Sequence, residues 1–147
     1  MITIRIQHED FDIGAEVGRL NAENTGAVAT FTGMVRKDGD LASLTLEHYP
    51  QMTEREIARI AGEAQSRWPL LGITIIHRVG KLLPGDRIVL VAVAASHRGA
   101  AFQACEFLMD YLKTRAPFWK EEASGGTTSW VEHRHADDQA AKRWQDR

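Results

Sequence analysis

At 147 residues the chain has room for one domain with a real core and not for two of ordinary size. A formal charge of -2, with 44% hydrophobic and 26% charged residues, carries no global signature of nucleic-acid or membrane binding, so any anion recognition has to come from a local cluster. Cys105 is the single cysteine, which excludes an internal disulfide and a paired-cysteine metal knuckle and fits a reducing compartment.

The first residues, MITIRIQHEDFD, hold no basic segment leading into a long apolar run, and no stretch reaches the ~20 apolar residues of a membrane span, so a soluble cytoplasmic protein is expected. Ile2, Ile4 and Ile6 alternate with polar residues and predict a half-buried strand. Asp12 then predicts the cap of a helix with Ile13, Val17 and Leu20 on one face, ending near Asn24. Gly26 to Val35 reads as a strand, and Lys37-Asp38-Gly39-Asp40 as a turn into a second strand from Ala42 to His48, which leaves Arg36 at a strand end beside a loop. Thr53 and Glu56 have capping-box spacing before a helix in which Ile57, Ile60, Ala61, Ala64 and Trp68 recur until Pro69.

Ile73 to Leu82 and Arg87 to Ala95 are β-branched apolar runs around Pro84-Gly85-Asp86, a composition that predicts a hairpin. The second run feeds a helix expected to be capped by Ser96 and to stop near Arg115, because Pro117 lacks an N–H and turns Ala116 away from helical geometry. Gly125-Gly126 then predicts a turn between strands Phe118 to Ala123 and Thr127 to His133, and Asp137 to Trp144 a short last helix. Tight turns between strand neighbours demand antiparallel pairing, so the predicted class is α+β with mixed, largely antiparallel strands. No repeat or linker divides the chain, which is read as a single domain from 1 to 147.

The helix after Ser96 joins an anion site to an amine site. His97 and Arg98 fall in its first turn, where unpaired backbone N–H groups and the positive dipole end favour a bound anion such as a phosphate. Lys113 lies in its last turn, where a lysine also simply complements the dipole. Lys120 follows Pro117, Phe118 and Trp119, an apolar patch that would partly desolvate an amine and lower its pKa. Cys105 belongs to the inward stripe Ala101, Cys105, Leu108 and Leu112 and has no cation at helical spacing, so it reads as a packed structural thiol. A protein that moved sulfur would not carry it there.

His77 and His48 read as structural histidines. His133 and His135 are spaced like metal ligands but lack a third ligand nearby, so no metal is expected. Neither a phosphate-binding Walker loop nor a dinucleotide fingerprint is present, and no nucleotide cofactor is implied. The tryptophans, Trp119 and Trp130 among them, suit packing or an interface better than base stacking.

The run SHRGAAFQACEFLMDYLKTRAPFWK from Ser96 to Lys120, with FTGMVR at Phe31 to Arg36 and LEHYPQMTE at Leu46 to Glu54, closely resembles the catalytic large-subunit family of molybdopterin synthase. The resemblance runs from about Gly26 to the C-terminus and rests on several long blocks in one order, far more specific than a lone short motif. It implies an α/β-hammerhead fold and a sulfurtransferase that converts cyclic pyranopterin monophosphate into molybdopterin by installing the dithiolene sulfurs. The sulfur would come from a ubiquitin-like small subunit with a C-terminal Gly-Gly thiocarboxylate, whose tail enters the large-subunit pocket.

Carried over residue by residue, the resemblance makes Lys113 and Lys120 catalytic and places Arg36 in the substrate pocket, with Met34 and Val35 as pocket backbone. It also raises His97 and Arg98 to phosphate ligands beside Arg36. Met109, one turn before Lys113, is expected to line the tail channel, and Glu121 and Glu122 continue the pocket segment, although Glu121 stands where the pattern often has a basic residue. At ~1.5 Å per residue, His97 and Lys113 lie on the order of 24 Å apart along the helix. One small substrate could meet both only in a twofold dimer, here a homodimer of large subunits within a heterotetramer, with Arg134 as a further residue across the interface. The competing class is a non-catalytic phosphate-binding or scaffold module; a phosphohydrolase or phosphotransferase is disfavoured because no carboxylate cluster accompanies the cations.

Overall fold

Alternating apolar residues in the β-branched runs pair into a first sheet, and a smaller second sheet holds the remaining strands. The computed structural model describes residues 1–124, 127–130 and 135–145. In chain order these form β1 (Ile2–Gln7), α1 (Ile13–Arg19), β2 (Ala27–Met34), β3 (Leu41–His48), α2 (Met52–Arg67), β4 (Leu70–Arg78), β5 (Gly80–Leu82), β6 (Arg87–Ala95), α3 (Arg98–Arg115), β7 (Phe118–Ser124), β8 (Thr127–Trp130) and α4 (His135–Lys142). The predicted Gly125-Gly126 turn, Arg134 and the stretch from residue 131 through His133 lie outside the described residues.

The first sheet has the order β1-β4-β6-β2. Antiparallel pairing sets Ile75 opposite Val91 and Ala29 opposite Val93, while β1 runs parallel to β4 with Ile4 opposite Ile75. Helices α2 and α3 cover one face, where Ile57, Ile60, Phe107, Leu108 and Tyr111 bury Ile73, Ile75, Val89, Val91 and Val93. Each large apolar side chain fully buried there contributes about 1.5–3 kcal/mol. On the other face Phe11 packs on Ile76 and Leu90, and Leu20 on Ala92 and Ala94. The second sheet, β5-β3-β7-β8, closes a smaller core of Val35, Leu41, Leu44, Leu46 and Leu82. The class is the α+β arrangement expected, with one parallel pair among otherwise antiparallel described strands.

Several boundaries differ from the sequence expectation, each for a tertiary or local hydrogen-bonding reason. The strand expected over Ile73 to Leu82 breaks at Val79; Gly80 takes φ +92°, and the chain crosses to the second sheet, where Leu82 pairs with Leu44. Helix α1 stops at Arg19 and not near Asn24, since the Ala22 N–H donates to Thr25 Oγ1 (3.2 Å) and a turn replaces the next helical bond. Helix α2 is capped two residues earlier than the Thr53 expectation: the Gln51 N–H donates to Glu54 Oε2 (3.3 Å). Thr53 is instead buried, accepting from the Tyr49 N–H and donating to the Pro117 carbonyl, both at 3.0 Å. That bond pins the start of β7 against α2.

Helix α3 starts one residue later than expected, with His97 and not Ser96 as N-cap. Ser96 is drawn to the segment before β2, where its hydroxyl donates to the Asn24 carbonyl (3.4 Å). A Cβ at Gly26 would collide with the Ser96 carbonyl oxygen, so only glycine allows this approach. The far end of α3 stops at Arg115 with Ala116 extended, as Pro117 dictates. Helix α4 begins at His135 instead of Asp137 and ends at Lys142; Trp144 beyond it packs edge-on against Trp68 and Phe107.

Candidate active site

Helix α3 runs back across the sheet against β6, with the Cys105 thiol 3.9 Å from the Val91 carbonyl that accepts from it. His97 and Arg98 therefore lie at the Ala95 end of β6 and Lys113 at its Arg87 end. Strand β2 is antiparallel to β6, with Ala27 opposite Ala95 and Met34 opposite Arg87. Met34, Val35 and Arg36 thus arrive at the Lys113 end. The structure groups Arg36 with the lysines and separates it from His97 and Arg98, so the expected phosphate trio does not form within one protomer.

Val35 anchors this corner. Its N–H donates to the Asp86 carbonyl and its own carbonyl accepts from the Gly85 N–H, both at 2.8 Å, and its side chain is buried in the smaller core. Its N–H is thereby committed to the turn. Met34 and Arg36 on either side are exposed, Met34 by 55%.

Lys120 comes from the second sheet. In β7, Phe118, Lys120 and Glu122 share one face, and Trp119 and Glu121 the other. Lys120 lies opposite Leu46 and Glu122 opposite Leu44, while Glu121 lies opposite Thr45. The acidic residue at position 121, a departure from the family pattern, is therefore turned away from the face that carries Lys120. Met109 is half-buried against the main core, and both lysines are exposed. On the other face of β7, Tyr49 packs on Trp119 with ring centroids 3.9 Å apart.

Sequence reasoning missed His77 as part of this corner. Ile73, Ile75 and His77 alternate on the helix-covered face of β4, so the stripe that fills the core ends in an imidazole. Its ring stacks on Phe118 with centroids 3.8 Å apart and planes 17° from parallel, and the His48 ring lies 6.5 Å from the same Phe118. Burial, with a smaller push from the charges of Lys120, Lys113 and His48, brings the His77 pKa down to about 4, against the raising effect of a backbone hydrogen bond. The Arg78 carbonyl lies 2.9 Å from Nδ1 and can only accept, so Nδ1 carries the hydrogen and Nε2 the lone pair. The signal available in the sequence was the alternation itself, which puts His77 on the inward side.

Cys105 is buried and unpaired, and burial, then Glu106, pushes its thiol up to about 11. Among the described residues, no group of three or more His, Cys, Asp or Glu side chains is placed to hold a metal ion, and no helix is long and apolar enough to cross a membrane.

Residues 6–115 match the family model described as MoaE protein. The chain belongs to the MoaE family. It is 56% identical to the molybdopterin synthase catalytic subunit of Mesorhizobium japonicum over 97% of this chain and 92% of that protein. The solved structure of the molybdopterin biosynthesis MoaE protein from Burkholderia ambifaria superposes with a TM-score of 0.85 at 55% identity, covering 98% of each chain. The same fold, at 21% identity and a TM-score of 0.78, covers 89% of this chain and 91% of one in a complex of subunits 1 and 2 of molybdopterin-converting factor from Helicobacter pylori. Relatives aligned along nearly their whole length are named molybdopterin synthase catalytic subunits, and none supports the non-catalytic scaffold alternative.

Proposed function

We propose that this chain is the catalytic subunit of a molybdopterin synthase, which installs the dithiolene sulfurs of molybdopterin in cyclic pyranopterin monophosphate. The observation that supports the chemistry is that the charges of Lys113, at the end of α3, and Lys120, on β7, both act on His77, whose ring stacks on Phe118. Two ammonium groups from different elements favour an anionic reactant beside a partly dry aromatic surface. A thiocarboxylate at the end of a ubiquitin-like small subunit is such a reactant, and the two-subunit complex of the Helicobacter pylori relative supports a partner of that kind.

In this reading the sulfur of each of two thiocarboxylates bonds to a carbon of the pterin side chain as that carbon's C–O bond breaks, the oxygen leaving with the opened phosphate or as water. Water then cleaves each acyl–sulfur bond to release the tail as a carboxylate. Lys120 transfers the proton or offsets the negative charge that develops during attack and opening of the cyclic phosphate. Lys113 is the second amine, near the incoming carboxyl terminus, with Met109 and Glu122 along the channel. Arg36 supplies a cation to the substrate from the same protomer, and His97 and Arg98 hold its phosphate from the second copy of a homodimer, the core of a heterotetramer. Arg134 and Glu121 are the peripheral members of this assignment. The buried, high-pKa Cys105 suits a subunit that takes its sulfur from a partner.

The test is dithiolene formation from the cyclic pterin precursor with a thiocarboxylated small subunit, comparing the native chain with Lys120→Ala. Product from the native chain and little from the variant is expected. No product from a folded native chain that binds both ligands would overturn the assignment.

A further inference from the structure

His77 is a half-buried polar ring at the end of the inward stripe of β4, where an aliphatic side chain would serve packing alone. Its neighbours in register are Ile6 on β1 and Val89 on β6, and the two preceding inward residues of β4 are Ile73 and Ile75. A leucine or isoleucine would extend that stripe without burying a polar ring. The ring is held on two sides, by the Phe118 stack and by Nδ1–H donating to the Arg78 carbonyl, its one hydrogen bond among the described residues. The Arg78 guanidinium is turned away, donating to the His8 and Arg87 carbonyls at 3.1 and 3.0 Å.

The charged groups that act on the ring come from three elements: Lys120 on β7, Lys113 at the end of α3 and His48 on β3. The His48 Nε2 lies 3.5 Å from Glu54 Oε1. Phe118 and Lys120 share a face of β7, so the residue that clamps the ring and the residue proposed for catalysis are set by one strand. A fixed imidazole with a lone pair on Nε2, placed among ammonium groups, is a hydrogen-bond acceptor for an ammonium.

We propose that His77 is a positioning residue of this site: clamped by Phe118 and the Arg78 carbonyl, it offers Nε2 to a lysine ammonium and fixes where that ammonium points. The inference rests on the synthase reading above and deepens it. The low pKa keeps the ring neutral at working pH, so it accepts a proton bond without adding a further cation. An unguided lysine has four flexible methylenes, and a ring that fixes its head group gives the geometry that proximity effects require.

The test uses the complete synthase with thiocarboxylated small subunit and two variants. His77→Phe keeps the stack and removes the acceptor, and His77→Gln keeps an acceptor. His77→Phe is expected to fold with a native melting temperature, to lose about tenfold or more in kcat with KM for the pterin within about twofold, and to move the alkaline limb of the kcat profile to lower pH. That shift follows because an ammonium without its acceptor gives up its proton more easily. His77→Gln is expected to recover most of kcat and the native profile. A kcat within twofold of native and an unmoved profile in His77→Phe would overturn the role.

A second readout does not depend on turnover. Imidazole NMR should show the Nδ1–H tautomer, and Lys120→Ala should raise the His77 pKa above its value of about 4. An unchanged His77 titration in Lys120→Ala would overturn the proposed contact whatever the activity. Native synthase that makes no product while the titration still responds to Lys120→Ala would sink the functional reading and leave the His77 geometry standing.

Discussion

The two ends of α3 are built on opposite principles. At its start, His97 and Arg98 are exposed, the His97 side chain makes no cap, and no ion pair holds either residue among the described residues. What that end offers is open N–H groups and two solvated basic side chains, which suits binding. At the other end, Lys113 and Lys120 come from two elements beside the stacked His77 and Phe118, in surroundings dry enough to pull an imidazole far below its usual pKa. That end suits chemistry. Because the rod between them is ~1.5 Å per residue over sixteen residues, roughly 24 Å, one protomer cannot close both ends on one small molecule. The contrast teaches that one helix presents two unlike ends, and under the proposed function a second copy would be needed to bring them to one substrate.

The largest effect is expected at the reacting end. Lys120→Ala should lower kcat for dithiolene formation by about a hundredfold or more, the scale of losing one preorganised electrostatic group. Its melting temperature should stay close to native because the Lys120 side chain is exposed. A loss confined to pterin affinity, measured as KM, would move Lys120 to the holding end and break the comparison.

A different signature belongs to the start of α3. His97→Ala with Arg98→Ala should raise KM for the pterin by about a hundredfold or more while kcat stays within a few-fold, since each of the two lost charge-assisted bonds costs about 1.5–3 kcal/mol. Mixing a His97→Ala protein with a Lys120→Ala protein should restore part of the activity, because one site of each mixed dimer then has an intact start and an intact end. No recovery after verified subunit exchange would show that each protomer works alone.

Much of the fold around α3 was readable from the chain, and the unreadable parts share a cause. Strand β6 spans Arg87–Ala95 as expected, and α3 ends at Arg115, because β-branched runs and a proline act locally. The start of α3 moved by one residue through the contact between Ser96 and the segment around Gly26, some seventy positions away in sequence. Thr53 has the local look of a cap but serves Pro117 across the fold. Arg36 joined the lysines because β2 runs antiparallel to β6, a pairing that spacing alone does not reveal. His77 was visible as an inward residue, yet its neighbours come from β7, α3 and β3, and only the assembled sheets bring them together.

Acid should weaken the reacting end before the holding end. His77 has a folded pKa of about 4 against an ordinary 6.5, so the unfolded chain binds the proton more readily. Its contribution is complete above about pH 6.5, falls as pH drops toward 4, and is worth on the order of 3 kcal/mol at most. Asp10, held at about 2 mainly by its hydrogen bond from Arg87, adds a second loss between the ordinary carboxylate range and pH 2. Urea unfolding across pH 7 to 3 should show the first fall in the native protein and not in His77→Phe. Hydrogen exchange at pH 5 should open β4 and β7 ahead of the start of α3; the reverse order would contradict the assignment of the titrating group to the lysine corner.

The smallest effect is expected midway along the rod, at Cys105. Its thiol donates to the Val91 carbonyl at 3.9 Å, is buried, and is pushed up to about 11, so almost no thiolate exists at neutral pH to attack or carry sulfur. Cys105→Ala removes one sulfur atom from a packed stripe and should cost about 1 kcal/mol of stability. Sulfur transfer should stay within about twofold of native, and a thiol-alkylating reagent should leave the folded protein active. Loss of transfer in a Cys105→Ala protein of unchanged melting temperature would route sulfur through the middle of α3. The helix would then be a carrier in its own right, and its two ends could no longer be treated as the separate binding and reacting parts of the site.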